Sequence, residues 1–162
     1  MNLEELYGRH GENLYRYLVF RLGSAEDAED VLQETFCRFA RYGLRWKFVR
    51  DPKAFVFRVA RNEANRFLRS KLGRREGEKM ILAGAAGGFA AAFTAAEEPT
   101  LALLLCRAEE LPVEQKEIVF LKVFDGLTFK EIGSVCGVSA NTAASRYRYG
   151  MAKLREAVEG KR

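Results

Sequence analysis

The sequence has little of several features that define other protein classes. Its 162 residues include only three cysteines, three prolines and one histidine. Cys37, Cys106 and Cys136 show no CxxC spacing, and His10 is far from all of them in sequence, so we expect no metal site and three reduced thiols that mostly fill the core. No segment approaches the ~20 apolar residues that cross a bilayer, and no signal peptide opens the chain. We therefore expect a cytoplasmic protein without membrane insertion.

Signs of a catalytic site are also missing from the sequence. There is no paired histidine, no glycine-rich phosphate loop and no carboxylate cluster within the basic segments. The sequence therefore predicts that the protein is not an enzyme and uses no cofactor.

Apolar residues recur at helical spacing, and no alternating β-branched run is long enough to indicate a sheet, which predicts an all-α protein. The predicted helices cover Leu3 to Leu22 (with Gly11 either inside it or breaking it), about Ala25 to Tyr42, Pro52 to about Leu72, and Leu101 to Glu110. Residues 73–100 are rich in glycine and alanine, are expected to bury little surface, and are interpreted as a linker that is in part flexible and in part helical. We predict two small helical domains, residues 1–72 and 101–162, joined by a flexible linker at 73–100.

The second domain contains the pattern of a helix-turn-helix. Thr128, with Glu131 three residues later, predicts a capping box. Gly137 allows a tight turn, and Ser139 caps the next helix. That helix carries polar side chains able to reach base edges or phosphates: Asn141, Thr142, Ser145, Arg146 and Arg148. We expect it to enter the major groove of DNA; an ordinary helical hairpin is the alternative.

Charge is distributed unevenly along the chain. Residues 1–40 have a net charge of −4, residues 41–80 of +9, and residues 139–162 of +4. Two separated basic zones favour two contacts with a nucleic acid.

The first basic zone combines arginines with aromatic residues. Its helix carries four arginines at spacings that share one surface: Arg58, Arg61, Arg66 and Arg69. The preceding loop brings Trp46 and Phe48 near that surface, and an aromatic ring beside a guanidinium suits an unstacked base. The alternative is a solvated charged face.

The acidic segment DAEDVLQETF, residues 27–36, lies in the second predicted helix. Its carboxylates would repel DNA, so we expect this face to dock a protein partner that carries a basic helix. A solubilising face is the alternative.

Together these motifs resemble a known family. DAEDVLQETF, then FRVARN, then DGLTFKEIG followed by GVSANTAASR are similar to the extracytoplasmic-function (ECF) group of bacterial RNA polymerase sigma factors, over residues 3–72 and 108–156. The resemblance implies a first, region 2-like domain that binds the clamp helices of the largest subunit of core polymerase and melts the promoter −10 element. It implies a second, region 4-like domain that reads the −35 element and contacts the polymerase flap.

The resemblance also assigns roles to individual residues. For core polymerase binding it implies Asp30, Gln33 and Glu34. For −10 recognition it implies Trp46, Phe48, Arg50, Asp51, Arg58, Arg61 and Asn62. For −35 recognition it implies Ser139, Asn141, Thr142, Ser145, Arg146, Arg148 and Tyr149. Ala144, Tyr149 and Met151 stand where basic residues are common in the family, so promoter preference does not transfer.

Two further expectations concern regulation and the competing function. Many members of the family are held inactive by an anti-sigma factor, and with no extension beyond Arg162 we expect a separate protein of that kind. The competing function is a stand-alone helix-turn-helix transcriptional regulator. It would need a dimer to read a two-fold operator, and it would leave the acidic helix without a use.

Overall fold

The computed structural model describes residues 2–85, 87–93 and 99–160, and these residues form helices without any strand. The helices are α1 (Leu3–Leu22), α2 (Ala25–Tyr42), α3 (Pro52–Leu72), α4 (Arg74–Ala83), α5 (Gly88–Ala92), α6 (Pro99–Ala108), α7 (Val113–Val123), α8 (Phe129–Cys136) and α9 (Ala140–Glu159), with a 3-10 helix at Gly43–Phe48. The predicted all-α class is confirmed. None of the described helices is long and apolar enough to cross a membrane.

Local signals set the ends of the first helices. The side chain of Ser24 accepts a hydrogen bond from the Asp27 N–H at 3.2 Å and so begins α2. The Asp51 carboxylate accepts one from the Ala54 N–H at 3.1 Å and begins α3. Gly11 lies inside α1 and is buried, so the helix continues through it.

A single hydrophobic core runs through the N-terminal half (α1–α3) and the C-terminal half (α6–α9). Tyr17 of α1 is fully buried, with its ring centroid 5.5 Å from that of Phe57 in α3 and 6.1 Å from that of Phe120 in α7. Helix α3 also packs along α8. The two predicted domains are therefore closed against each other.

The glycine- and alanine-rich segment takes part in this core. Phe89 is 1% exposed and its ring packs on those of Phe20 and Phe120, at 4.9 and 5.8 Å. Its backbone N–H donates to the Glu109 carboxylate. The expectation that residues 73–100 bury little surface is thus wrong at Phe89. Residues 86 and 94–98 of the predicted linker lie outside the described residues.

The cysteines differ from expectation. Cys37 and Cys106 are exposed, and only Cys136 is partly buried. The first two lie on the outward faces of α2 and α6, which helical spacing alone did not reveal. Within the described ranges, no group of three or more His, Cys, Asp or Glu side chains is placed to hold a metal ion.

We predict that Gly88→Ala separates α5 from α1. A Cβ at this position would lie 2.3 Å from the backbone carbonyl oxygen of Phe20, so α5 must move. We expect the free energy of unfolding in urea to fall by ~2 kcal/mol. Gly8→Ala is the matched control, because a Cβ there meets no atom within 4 Å, and it should raise stability by up to ~1 kcal/mol. Equal effects of the two changes would contradict the packing of α5.

Candidate nucleic-acid interface

Helices α8 and α9 have the predicted geometry of a helix-turn-helix. The hydroxyl of Thr128 accepts from the Glu131 N–H, and the Glu131 carboxylate accepts from the Thr128 N–H, both at 3.1 Å. Gly137 ends α8 in the left-handed region, with φ of 72°. The Ser139 hydroxyl accepts from the Thr142 N–H at 3.0 Å and begins α9. The predicted caps and turn are all present.

The predicted −35 residues lie at the start and along the first half of α9. The most exposed of them are Ser139, Asn141, Arg148 and Tyr149, while Thr142, Ser145 and Arg146 are partly buried. The Arg148 guanidinium donates to the Ser145 hydroxyl at 3.2 Å, which holds both polar groups at the surface. Arg146 is close enough to Cys136 of α8 for its charge to act on the thiol. The role of these residues in reading DNA stays a prediction.

Four of the predicted −10 residues meet in one cleft. Phe48, Arg50, Asp51 and Arg58 line a cleft of about 310 Å³ between the 3-10 segment and α3. Phe48 is 78% exposed, so its ring is available to a ligand. The cleft is also lined by Ser134 of α8, so the C-terminal half forms part of its wall.

The other predicted −10 residues have different surroundings. Trp46 is partly buried, and its indole N–H donates to the Phe39 carbonyl at 3.1 Å. The centroid of its ring lies 5.3 Å from that of Phe55, which lines the cleft, so Trp46 packs behind the cleft wall. Asn62 is exposed on α3. Asp51, although it lines the cleft, also caps α3.

Arg61 forms an ion pair with Glu117 of α7, at the boundary between the two halves. Its Nε donates to Glu117 Oε1 at 2.7 Å and its Nη2 to Oε2 at 3.3 Å. The Tyr17 hydroxyl donates to Oε1 at 2.7 Å, and Arg21 Nη1 lies 3.6 Å from Oε2. We call these four side chains the Glu117 cluster. Arg61 was predicted to face DNA, and in this closed arrangement its guanidinium is instead occupied by a carboxylate.

The Glu117 cluster has strongly shifted proton equilibria. Burial by itself raises the pKa of Glu117, but Arg21 and Arg61 outweigh it and, with the hydrogen bonds from Arg61 and Tyr17, hold that pKa at about 2. Burial and the Glu117 charge raise the pKa of Tyr17 well above its usual value. The same two causes raise the pKa of Cys136 to about 12. The carboxylate is therefore ionised and the neighbouring thiol is protonated at neutral pH.

Glu117 and Arg21 were not among the site residues predicted from the sequence. The available signal was a lone carboxylate directly before the apolar run Ile118 to Leu121. A charged residue in such a run is buried only when it is paired.

The three predicted polymerase-binding residues, Asp30, Gln33 and Glu34, are all exposed on α2. They border two different depressions. Asp30 and Glu34 line a cleft of about 220 Å³ beside Arg66. Gln33 lines a largely apolar groove of about 1220 Å³ between α1 and α2, together with Tyr7. The exposed face of α2 thus carries carboxylates along one side and borders an apolar groove along the other.

Asp125 is a buried carboxyl between α7 and α8 and is 4% exposed. Within the part of the chain that the structure describes, neither of its side-chain oxygens has a hydrogen-bond donor. Burial raises its pKa to about 7, although the charges of Lys53 and Arg16 oppose the rise. Both of those cations belong to the N-terminal half.

Comparisons with known proteins agree with this architecture. The family model described as Sigma-70 region 2 matches residues 6–74, and Sigma-70, region 4, matches residues 101–154. The ferric citrate uptake sigma factor FecI of Escherichia coli (strain K12) is 31% identical over 143 residues, covering 88% of this chain and 82% of FecI. The RNA polymerase sigma factor CarQ of Myxococcus xanthus is 29% identical over 154 residues, covering 94% and 87%.

A solved structure shares the fold. CnrH, in complex with the cytosolic domain of CnrY, superposes with a TM-score of 0.62 at 19% identity, covering 99% of this chain and 89% of CnrH. With two sigma regions in order and relatives over nearly the whole chain, the protein belongs to the ECF group of sigma factors. It acts as an RNA polymerase sigma factor, and sigma factors are non-enzymatic initiation factors that bind RNA polymerase and promoter DNA.

We predict that Asp125→Asn changes how stability depends on pH. The pKa of Asp125 is raised from about 3.9 in the unfolded chain to about 7 in the folded one. Below pH ~4 the carboxyl is protonated in both states and its burial carries no ionisation penalty, whereas the penalty grows as the pH rises to ~7. The unfolding free energy of the wild type relative to Asp125→Asn should fall over this window by on the order of 3 kcal/mol.

Urea denaturation between pH 4 and pH 8 measures this difference. Asp30→Asn, which removes an exposed carboxylate, is the control, and its unfolding free energy should change with pH in the same way as that of the wild type. If the unfolding free energy of Asp125→Asn also follows that of the wild type across the pH range, the carboxyl of Asp125 is not buried as described.

Proposed function

We propose that the two halves divide the work of promoter recognition. Residues 1–72 act as the region 2-like domain, which binds core polymerase and captures and melts the −10 element. Residues 101–162 act as the region 4-like domain, which reads the −35 element, with residues 73–100 between them. The observation that carries this proposal is the helix-turn-helix of α8 and α9 in the same chain as the arginine- and aromatic-lined cleft beside α3.

Capture of the −10 strand uses the 3-10 segment and α3. Arg50 and Arg58 contact phosphates, while Phe48 offers an exposed ring for an unstacked base. Trp46 holds the 3-10 segment against α2 through its hydrogen bond to the Phe39 carbonyl, and only part of its ring is exposed. Arg61 and Asn62 extend the basic surface along α3. Phosphate contacts of this kind make binding salt-dependent.

Reading of the −35 element uses α9. Asn141, Arg148 and Tyr149 project from its exposed face, and Thr142, Ser145 and Arg146 lie beside them. Ser139 begins the helix, whose positive N-terminal end suits a phosphate. Arginine and asparagine side chains are the common readers of base edges in the major groove.

Polymerase binding uses two surfaces. Asp30, Gln33 and Glu34 present carboxylate and amide oxygens to the clamp helices of the largest subunit, and charge complementarity with basic residues there provides specificity. The flap docks on an apolar groove of about 440 Å³ between α6, α7 and α9, with Leu104 and Val123 in its lining. We expect the protein to work in the cytoplasm, beside RNA polymerase.

Control by a separate anti-sigma factor completes the proposal. It is supported by the family resemblance and by CnrH, whose fold is shared and whose structure contains the cytosolic domain of a second protein, CnrY. Activity in uninduced cells equal to that of the purified chain would count against such an inhibitor.

Start-site selection tests the proposed function. The purified chain is mixed with bacterial core polymerase, passed over a sizing column, and used to transcribe a pool of random promoters. We expect the chain to elute with the polymerase, and the transcripts to share sequence elements near −35 and −10. Failure to bind core polymerase, with tight binding to duplex DNA as a dimer, would instead favour the stand-alone regulator.

We predict that substitutions on the two halves have separate effects in this assay. Arg146→Ala should weaken −35-dependent initiation roughly tenfold or more, because a base contact is worth ~1–3 kcal/mol, and should leave polymerase binding intact. The double change Asp30→Ala with Gln33→Ala should weaken polymerase binding and leave binding to the −35 element intact. Lys153→Ala removes an exposed charge from the second half of α9 and serves as the control. If both sets lose the same function, the division of labour is wrong.

A further inference from the structure

The closed arrangement is fixed by polar contacts from one half to the other. The Glu117 carboxylate belongs to α7, and the donors that the described residues offer it, Tyr17 and Arg61, come from α1 and α3. Arg21 of α1 completes the cluster and donates to Asn65 of α3 at 2.6 Å. Because Glu117 is 4% exposed, water cannot replace these donors while the halves stay together.

An aromatic wedge reinforces the contact. The rings of Phe20 in α1 and Phe120 in α7 are stacked, with centroids 4.4 Å apart. Phe89 of α5 packs on both rings, and Phe93 packs on Phe124 at 4.3 Å. Helix α5 therefore lies between the two halves and packs on both of them through Phe89, which a free linker would not do.

The same contact covers part of the candidate −10 surface. Arg61 makes two hydrogen bonds to Glu117, so its guanidinium has no free edge for a phosphate along that side. Arg58 lies 3.5 Å from the Ser134 hydroxyl of α8, and Ser134 forms part of the cleft wall. A single strand entering the cleft would meet α8.

We infer that Glu117 is an internal latch, which occupies Arg61 as a promoter phosphate would and keeps the free sigma factor closed and weak in −10 binding. This inference rests on the proposed role of Arg61 at the −10 element. Opening moves Glu117 away from Arg61, and the freed guanidinium then joins Arg58 and Arg50 on the DNA-binding surface.

The balance of charge makes the latch releasable. The cluster encloses one carboxylate with two guanidinium groups, so burial of the second cation is only partly compensated. The free-energy cost of removing these charges from water offsets much of their mutual attraction. A buried ion pair therefore adds little to the net stability of the closed arrangement. Asp125 is buried and has no hydrogen-bond donor among the described residues, so its ionisation also opposes the closed arrangement. A partner that binds the separated halves can thus open the chain.

Glu117→Gln tests the latch because it keeps the shape of the side chain and removes its charge. The buried guanidinium of Arg21 and the partly buried one of Arg61 then lose their counter-ion and gain hydration if the halves separate. Dyes on the exposed Cys37 and Cys106 report the separation of the halves by energy transfer, in chains that all carry Cys136→Ala. We expect lower transfer efficiency for Glu117→Gln than for the parent. Glu114→Gln, an exposed change of the same charge on the same helix, should leave it unchanged.

Binding to a random-sequence single strand of ~20 nucleotides provides the second readout. We expect Glu117→Gln to bind roughly tenfold more tightly than the parent at low salt, with the gain shrinking as salt rises. Adding Arg61→Gln to that variant should remove the gain. Unchanged transfer efficiency in a folded Glu117→Gln chain would overturn the latch. An open chain without tighter binding would overturn its inhibitory role.

Tyr17→Phe keeps the test decisive if Glu117→Gln fails to fold. It retains the buried ring and removes one hydrogen bond to the carboxylate, so it should give a partial fall in transfer efficiency. No change in this variant would also overturn the latch. The transfer measurement needs neither polymerase nor DNA. A failure of the sigma-factor assignment in start-site selection is therefore distinguishable from a failure of the latch.

Discussion

The buried carboxylate of Glu117 is the interaction on which the arrangement of the whole chain depends. An unpaired charge in that position would be strongly destabilising, so α7 can pack on α1 and α3 only where Tyr17, Arg21 and Arg61 surround it. With α7 held there, α8 packs along α3 and Phe89 packs on Phe120. Ser134 of α8 then lines the candidate −10 cleft.

Features governed by neighbouring residues were predictable from the sequence. The capping box of Thr128 and Glu131, the turn at Gly137 and the cap at Ser139 depend on hydrogen bonds three residues apart or on one φ angle, and all are present. The bounds of the first three helices follow for the same reason, because each begins or ends at a capping residue or a glycine. The exposed positions of Asp30, Gln33 and Glu34 on α2 follow from helical spacing.

Features that depend on distant residues were not predictable. Arg61 has the same sequence signature as Arg58, a cation on a basic helix, yet its partner lies 56 positions along the chain. Helical periodicity predicts the apolar face of α3. It does not reveal that the C-terminal half of the chain covers part of the polar face of the same helix. Phe89 shows the same limit, since its glycine- and alanine-rich surroundings indicate a linker, whereas its ring packs on those of Phe20 and Phe120 and Gly88 lies close to the Phe20 backbone.

In the mechanism that we infer, closure brings the proposed promoter-binding surfaces together and binding to core polymerase separates them. Energy transfer between dyes on Cys37 and Cys106, in a chain that carries Cys136→Ala and no other change, tests this most directly when it is measured free and bound to core polymerase. The account predicts high transfer in the free chain and a marked fall on the polymerase, as the halves move to separate promoter elements. Equal transfer in both states would contradict it.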